Sequence, residues 1–179
     1  SALKKFSEGK KKDAYKKIKK IFINNESDDQ LRFNLAVIAQ SLNFNKEAKD
    51  NYKFLISKNS NQKAMTNLYL LYLKENNYFN ALEIIEKLLV SNFNSEKIIK
   101  DKAFVLYKLK RYEESINVCK NFLKLHIDLN FLNILGLNYL DQNKFSESEK
   151  VLREALNIDN NNSSIMNSLG RMYHEKRDT

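Results

Sequence analysis

One helix is written three times at one spacing. Asn143–Leu156 reads NKFSESEKVLREAL, Lys110–Leu123 reads KRYEESINVCKNFL and Asn76–Leu89 reads NNYFNALEIIEKLL. Small residues mark the start of each copy: Ala14, Ala48, Ala81, Ser115 and Ser148 fall at intervals of 34, 33, 34 and 33. Four residues on stand Ile18, Tyr52, Ile85, Cys119 and Leu152, and three beyond those Ile21, Leu55, Leu88, Phe122 and Ala155. Offsets of 0, 4 and 7 lie on one face of an α-helix, so all three columns are predicted to face inward. A first helix precedes each copy, with an inward face of Leu35-Ala36-Ala39, Leu68-Tyr69-Tyr72, Ala103-Leu106, Leu135-Gly136-Tyr139 and Leu169-Gly170-Tyr173.

A further column holds Gly9, Asn43, Asn76, Lys110 and Asn143. Gly and Asn tolerate the left-handed conformation that ends many helices, so a tight turn is expected at each. Polar stretches such as NNESDD, SKNSNQ and DNNNSS separate the copies and offer oxygens that cap the helix that follows. A helix pair of this length cannot bury its apolar face alone, and stacking on its neighbours solves the problem. The fold class expected is therefore all-α, a solenoid (α-α superhelix) of stacked antiparallel helix pairs. The units expected in a single array are 1–28 (partial), 29–61, 62–95, 96–128, 129–162 and 163–179 (first helix only). Both ends cut through the repeat, which reads as a piece of a longer protein, or as an array whose last helix is its cap.

This pattern resembles the tetratricopeptide repeat family. The residues that carry the resemblance best are Leu135-Gly136, Tyr139, Phe145, Leu152 and Ala155, and SLGRMY (Ser168–Tyr173) begins another copy. The resemblance covers nearly the whole chain, about five repeats, and implies a right-handed superhelix. The proline that such repeats often place after the second helix is absent throughout. Tyr69 occupies a position usually given to Gly or Ala, so looser packing is expected there, and Lys102 replaces an expected Leu.

Composition narrows the function. No apolar run approaches the roughly 18 residues of a membrane span, and the first residues lack the apolar core of a secretory signal. With a Ser1-Ala2 start an original leader could have been trimmed, but the expected compartment is the cytoplasm. One cysteine permits no internal disulfide. No phosphate loop, no HExxH and no nucleophile beside a histidine occurs, so no catalytic residue, cofactor or metal ligand is expected. His126 and His174 read as surface histidines, and Cys119 as a small apolar core residue. Lysine dominates the start: residues 1–23 hold nine lysines against Glu8 and Asp13, a net of +7, and the rest of the chain nets +2 from 22 basic and 20 acidic residues. That start reads first as a solvated outer helix, ahead of a contact with an acidic partner, a membrane surface or nucleic acid.

The resemblance implies that first helices line a concave groove. Its candidate residues are Phe33, Asn34, Val37 and Gln40, then Lys63, Thr66, Asn67, Leu70 and Lys74. Lys97, Lys100, Asp101, Phe104 and Tyr107 follow, then Asn130, Asn133, Leu137 and Leu140, and last Asn167 and Arg171. Val37, Leu70, Phe104 and Leu137 form an apolar column that either binds a partner or packs between neighbouring units. Asn34, Asn67 and Asp101 stack one unit apart, and amides can bond a peptide backbone. They resemble the asparagine ladder of O-linked N-acetylglucosamine transferases, although Ile134 interrupts it.

The function expected is a non-catalytic module that binds a peptide or a partner helix, with no small-molecule substrate. The alternative is the substrate-recruiting portion of a glycosyltransferase- or sulfotransferase-like enzyme whose catalytic domain lies outside this chain. Nucleic-acid binding ranks last, and self-association through uncapped terminal repeats stays open. One family function is excluded by residue type. Repeats that clamp chaperone C-termini place Lys and Asn four apart on a first helix. The pairs here are Phe33/Val37, Thr66/Leu70, Lys100/Phe104, Asn133/Leu137 and Asn167/Arg171. A chaperone-type C-terminal peptide is therefore expected to give no carboxylate-dependent heat in titration calorimetry, and a tight complex overturns this.

Overall fold

Each hairpin turns on one residue that must enter the left-handed region. Gly9 (φ 80°), Asn43 (62°), Asn76 (55°), Lys110 (59°) and Asn143 (58°) all do so, Lys110 included despite its Cβ. The same two bonds close each turn. At Asn43 they run from its own N–H to Gln40 O (3.0 Å) and from Phe44 N–H to Ala39 O (2.9 Å). At Lys110 they run to Tyr107 O and from Arg111 N–H to Leu106 O, both 2.9 Å. This is the Schellman arrangement, which satisfies carbonyls that a helix end leaves open.

The computed structural model describes residues 2–91 and 95–177, so the Ser1 and Thr179 termini lie outside the described residues. Eleven helices are described: α1 (Ala2–Ser7), α2 (Lys11–Ile23), α3 (Asp29–Ser41), α4 (Asn45–Asn59), α5 (Gln62–Lys74), α6 (Tyr78–Val90), α7 (Glu96–Lys108), α8 (Tyr112–Leu123), α9 (Leu129–Leu140), α10 (Phe145–Ile158) and α11 (Ser163–Arg177). No strand occurs among the described residues. The chain divides into two compact units, 1–93 with α1 to α6 and 94–179 with α7 to α11. Within each, a helix packs on its sequence neighbour.

First helices start on side-chain caps. Asp28, Asn61, Ser95, Asp128 and Asn162 each accept a backbone N–H of the first turn, at 2.8–3.3 Å. Each such cap contributes about 1 kcal/mol. Of the second helices, α2, α4, α8 and α10 have no side-chain cap bond, because Lys10, Phe44, Arg111 and Lys144 at the cap position carry no short side-chain acceptor. Asn77 caps α6.

The small column sets how closely the paired helices approach. Ala14, Ala48, Ala81, Ser115 and Ser148 are all 0% exposed. Ser115 Oγ donates to Ala103 O at 2.8 Å and Ser148 Oγ to Gly136 O at 2.9 Å, so the second helix touches the backbone of the first. Buried Asn138 donates to Ser115 Oγ (2.8 Å) and extends this contact to α9. The next column, from Ile18 to Leu152, is fully buried.

Three expectations are corrected. Ile21 is 38% exposed rather than inward, because the six-residue α1 is too short to cover the last turn of α2. Gly170 is exposed rather than inward, whereas Tyr69 is buried at 1% exposure. Leu140 is core rather than groove: α9 contacts α7, α8, α10 and α11, and Leu140 joins Leu132, Leu152 and Leu169 in one cluster.

Two glycines of one sequence column meet opposite surroundings. A Cβ on Gly136 would stand 2.6 Å from Leu152 Cγ and Cδ2, whereas one on Gly170 would meet nothing within 4 Å. Gly136→Ala is expected to destabilise by about 1–3 kcal/mol through overpacking, and Gly170→Ala to be neutral or stabilising by up to about 1 kcal/mol. Urea denaturation of both variants checks the contrast.

Candidate functional site

Side chains on the first helices divide into those the fold has engaged and those it leaves open. In the first compact unit these helices are α3 and α5. Tyr52 of α4 is fully buried, and its hydroxyl donates to Gln40 Oε1 (2.8 Å) and accepts from Asn67 Nδ2 (3.2 Å). Three helices are stitched by one phenol. Burial pushes that phenol up to about 12, against the opposing effect of the Asn67 bond. Asn34 Oδ1 accepts from Gln30 Nε2 (3.1 Å), and Lys74 bonds Asn43 (3.2 Å). Val37 and Leu70 are half-buried, and Lys63 is exposed with no ion pair among the described residues.

In the second compact unit the first helices are α7, α9 and α11. Lys97 pairs with Asp101 at 3.7 Å. Phe104 and Tyr107 are half-buried, and Lys108 Nζ sits 5.3 and 5.5 Å from their ring centroids. Arg171 reaches from α11 to the Tyr107 hydroxyl (3.4 Å), pairs with Asp141 at the end of α9 and bonds Glu175 (2.7 Å). Asn133 donates to Ser164 Oγ (3.2 Å) and accepts from Ser168 Oγ (2.7 Å). Phe104 and Leu137 each pack against a core cluster while keeping part of their surface open, and Lys100 is half-buried. The ladder residues thus have unlike settings: the amides of Asn34 and Asn67 bond within the first compact unit, and the Asp101 carboxylate pairs with Lys97 in the second.

Sequence reasoning missed Asp141 as the partner of Arg171. The signal was an opposite charge 26–31 residues away, a range that also takes in Lys49–Glu75 (2.8 Å), Lys58–Asp29 (2.8 Å) and Lys144–Glu113 (3.4 Å). It also missed the clamp at Arg32. This guanidinium lies 3.8 Å from the Phe54 ring centroid and 4.7 Å from that of Phe22, and bonds Asn51 (3.1 Å) and Glu26 O (3.0 Å).

A crevice of about 870 Å³ opens elsewhere, between α4, α5 and α6, lined by Lys53, Ile56, Met65, Leu68 and Ile84 among others. The second compact unit holds its counterpart, about 330 Å³, lined by Lys120, Leu123, Leu132, Leu135 and Val151, each 67 residues further on. Among the described residues no three metal-ligating side chains converge, and no helix is long and apolar enough to cross a membrane. Cys119 is 0% exposed, and burial pushes its thiol up to about 12, which keeps it protonated at neutral pH.

Residues 129–162 match the family model of the tetratricopeptide repeat. The structure is similar to a tetratricopeptide repeat protein from Parabacteroides merdae (15% identity, TM-score 0.84, 97% of this chain and 70% of that one). It is also similar to MamA from Desulfovibrio magneticus (11%, 0.75, covering 90% and 93%). A third likeness is to YrrB, a tetratricopeptide repeat protein with an unusual peptide-binding site (18%, 0.68, covering 89% and 84%). No curated protein matches the chain. The chain is an all-α helical-repeat protein with the fold of tetratricopeptide repeat solenoids, and the family match itself lies in residues 129–162.

Removing the Tyr52 hydroxyl tests the three-helix stitch. Tyr52→Phe is expected to cost about 1 kcal/mol at neutral pH. The raised phenol also sets a sign: its stabilisation is complete below pH 10, the ordinary value, and is lost as pH rises toward about 12, because only the unfolded chain releases the proton in that window. Urea midpoints followed through it are expected to fall less for Tyr52→Phe than for the wild type.

Proposed function

We propose that the chain is a non-catalytic module that binds a peptide segment of another protein on its first-helix faces. The observation that carries this reading is a recurring half-buried apolar side chain beside a lysine that has no ion pair among the described residues. In the first compact unit it is Val37 and Leu70 with Lys63; in the second it is Phe104 and Leu137 with Lys100. Apolar contact supplies affinity, and the lysines select acidic residues in the peptide. Asn67 adds orientation: its amide nitrogen is held by Tyr52, and its carbonyl oxygen accepts a peptide N–H. Asn34 has the reverse arrangement, with its oxygen held by Gln30 and its nitrogen turned to a peptide carbonyl. The fold is shared with YrrB, a protein with a peptide-binding site, which supports the same class of ligand. Burial of Cys119 supports the non-catalytic part of the reading.

The test is selection from a displayed random-peptide library, followed by anisotropy titration of the enriched sequences. One variant per compact unit keeps the two faces separate: Lys63→Glu with Leu70→Ser, and Lys100→Glu with Leu137→Ser, each first shown to be folded by circular dichroism. A side chain of this size and a charge reversal together cost well over 1.4 kcal/mol, so at least about a tenfold loss is expected in the variant whose face is used. Enriched peptides that are acidic and apolar support the reading. Equal affinity for both variants and the wild type overturns it.

A further inference from the structure

We infer that α2 is a docking surface for an anionic phospholipid bilayer. Lys12, Lys16 and Lys20 stand on successive turns of this helix, with Lys17 beside them, and all are exposed. None of the four, nor exposed Lys11, has an ion pair among the described residues. The acidic groups nearby are few. Glu8 faces Lys10 (3.7 Å), Glu47 of α4 faces Lys19 (3.1 Å), and Asp13 is the one acidic residue of α2 itself. Lys12, Lys16, Lys17 and Lys20 against Asp13 leave an uncompensated charge of +3 on one side of the helix.

Charge alone would suit any polyanion, so the choice rests on the other side chains. Ile23 lies four residues beyond Lys19 and falls angularly between Lys12 and Lys16, within the lysine stripe. It is 63% exposed, and Leu3 of α1 is 51% exposed. An exposed isoleucine among lysines gains nothing from a sugar-phosphate backbone, but gains by entering the boundary between headgroups and acyl chains. Residues 1–23 contain no arginine to fork a phosphate. Their aromatic rings are also engaged: Phe6 packs on the core, Tyr15 bonds Glu47 (2.5 Å), and Phe22 faces Arg32. Recognition of single-stranded nucleic acid uses open ring faces. The inner side of α2, Ala14 and Ile18, is buried in the protein, so the helix docks on the bilayer without leaving the fold.

The experiment is co-sedimentation of the whole chain with vesicles of phosphatidylcholine alone and of equal parts phosphatidylcholine and phosphatidylserine. Binding to the mixed vesicles at low salt and none to the neutral ones is expected. The triple variant Lys12→Gln, Lys16→Gln, Lys20→Gln is expected to lose on the order of 100-fold in affinity. Ile23→Ser changes no charge and is expected to lose about fivefold. These residues are exposed, so thermal melts of the variants should match the wild type. No binding to the mixed vesicles at low salt, or a triple variant that binds as the wild type does, overturns the inference. So does tighter binding to a single-stranded oligonucleotide at the same salt with Ile23→Ser indifferent, which assigns the stripe to nucleic acid instead.

Discussion

Everything else in this fold depends on how near the second helix of each pair can come to the backbone of the first. An alanine or serine at that crossing leaves no side chain to hold the helices apart. Ser115 and Ser148 go further and bond the backbone of the facing helix at 2.8 and 2.9 Å. Once the distance is fixed there, the next column inward, Ile18 to Leu152, closes over the crossing and excludes water. The remaining apolar residues of the first helices are then left over from pair packing. Those leftovers, Leu70 and Leu137 among them, stay half-buried.

The backbone was almost wholly legible in the sequence. Column spacing located the crossings, and the Gly and Asn column located the left-handed turn within each pair, Lys110 included, though not the left-handed Ser60 that ends α4. Such features repeat because each repeat must solve the same geometric problem, so five copies vote on each position. The errors fell where copies stop being equivalent. Ile21 is exposed because its neighbouring helix is short, and Leu140 is buried because α9 has helices on several sides.

Legibility declined at the candidate site for a different reason. A periodic column says that Asn34, Asn67 and Asp101 share a register, but not where their bonds go. Asn67 is tied to Tyr52, Asn34 to Gln30 and Asp101 to Lys97, because each local set of neighbours differs. The Arg32 clamp shows the same limit: no periodicity brings a guanidinium between Phe22 and Phe54. Pairs such as Arg171–Asp141 and Lys144–Glu113 follow a weaker regularity, a separation slightly short of one repeat. They join neighbouring repeats rather than the two helices of one, so a search for charge partners must use a different offset from the search for core contacts.

The two kinds of turn carry a consequence for how this chain can change. Within a pair the turn is closed by the same two backbone bonds around a single left-handed residue, over residues 42–44, 75–77 and 109–111 and again over 141–144, where the first helix ends one residue earlier. Adding a residue there would break both closing bonds and rotate every side chain of the second helix away from its crossing. Between pairs the turn ends on a side-chain cap, which acts only on the helix that follows it. Residues 60–61, 124–128 and 159–162 accordingly differ in length while the caps Asn61, Asp128 and Asn162 remain. Growth of this protein by inserted sequence is thus channelled to the turns between pairs, where a loop can lengthen without disturbing the register of any helix.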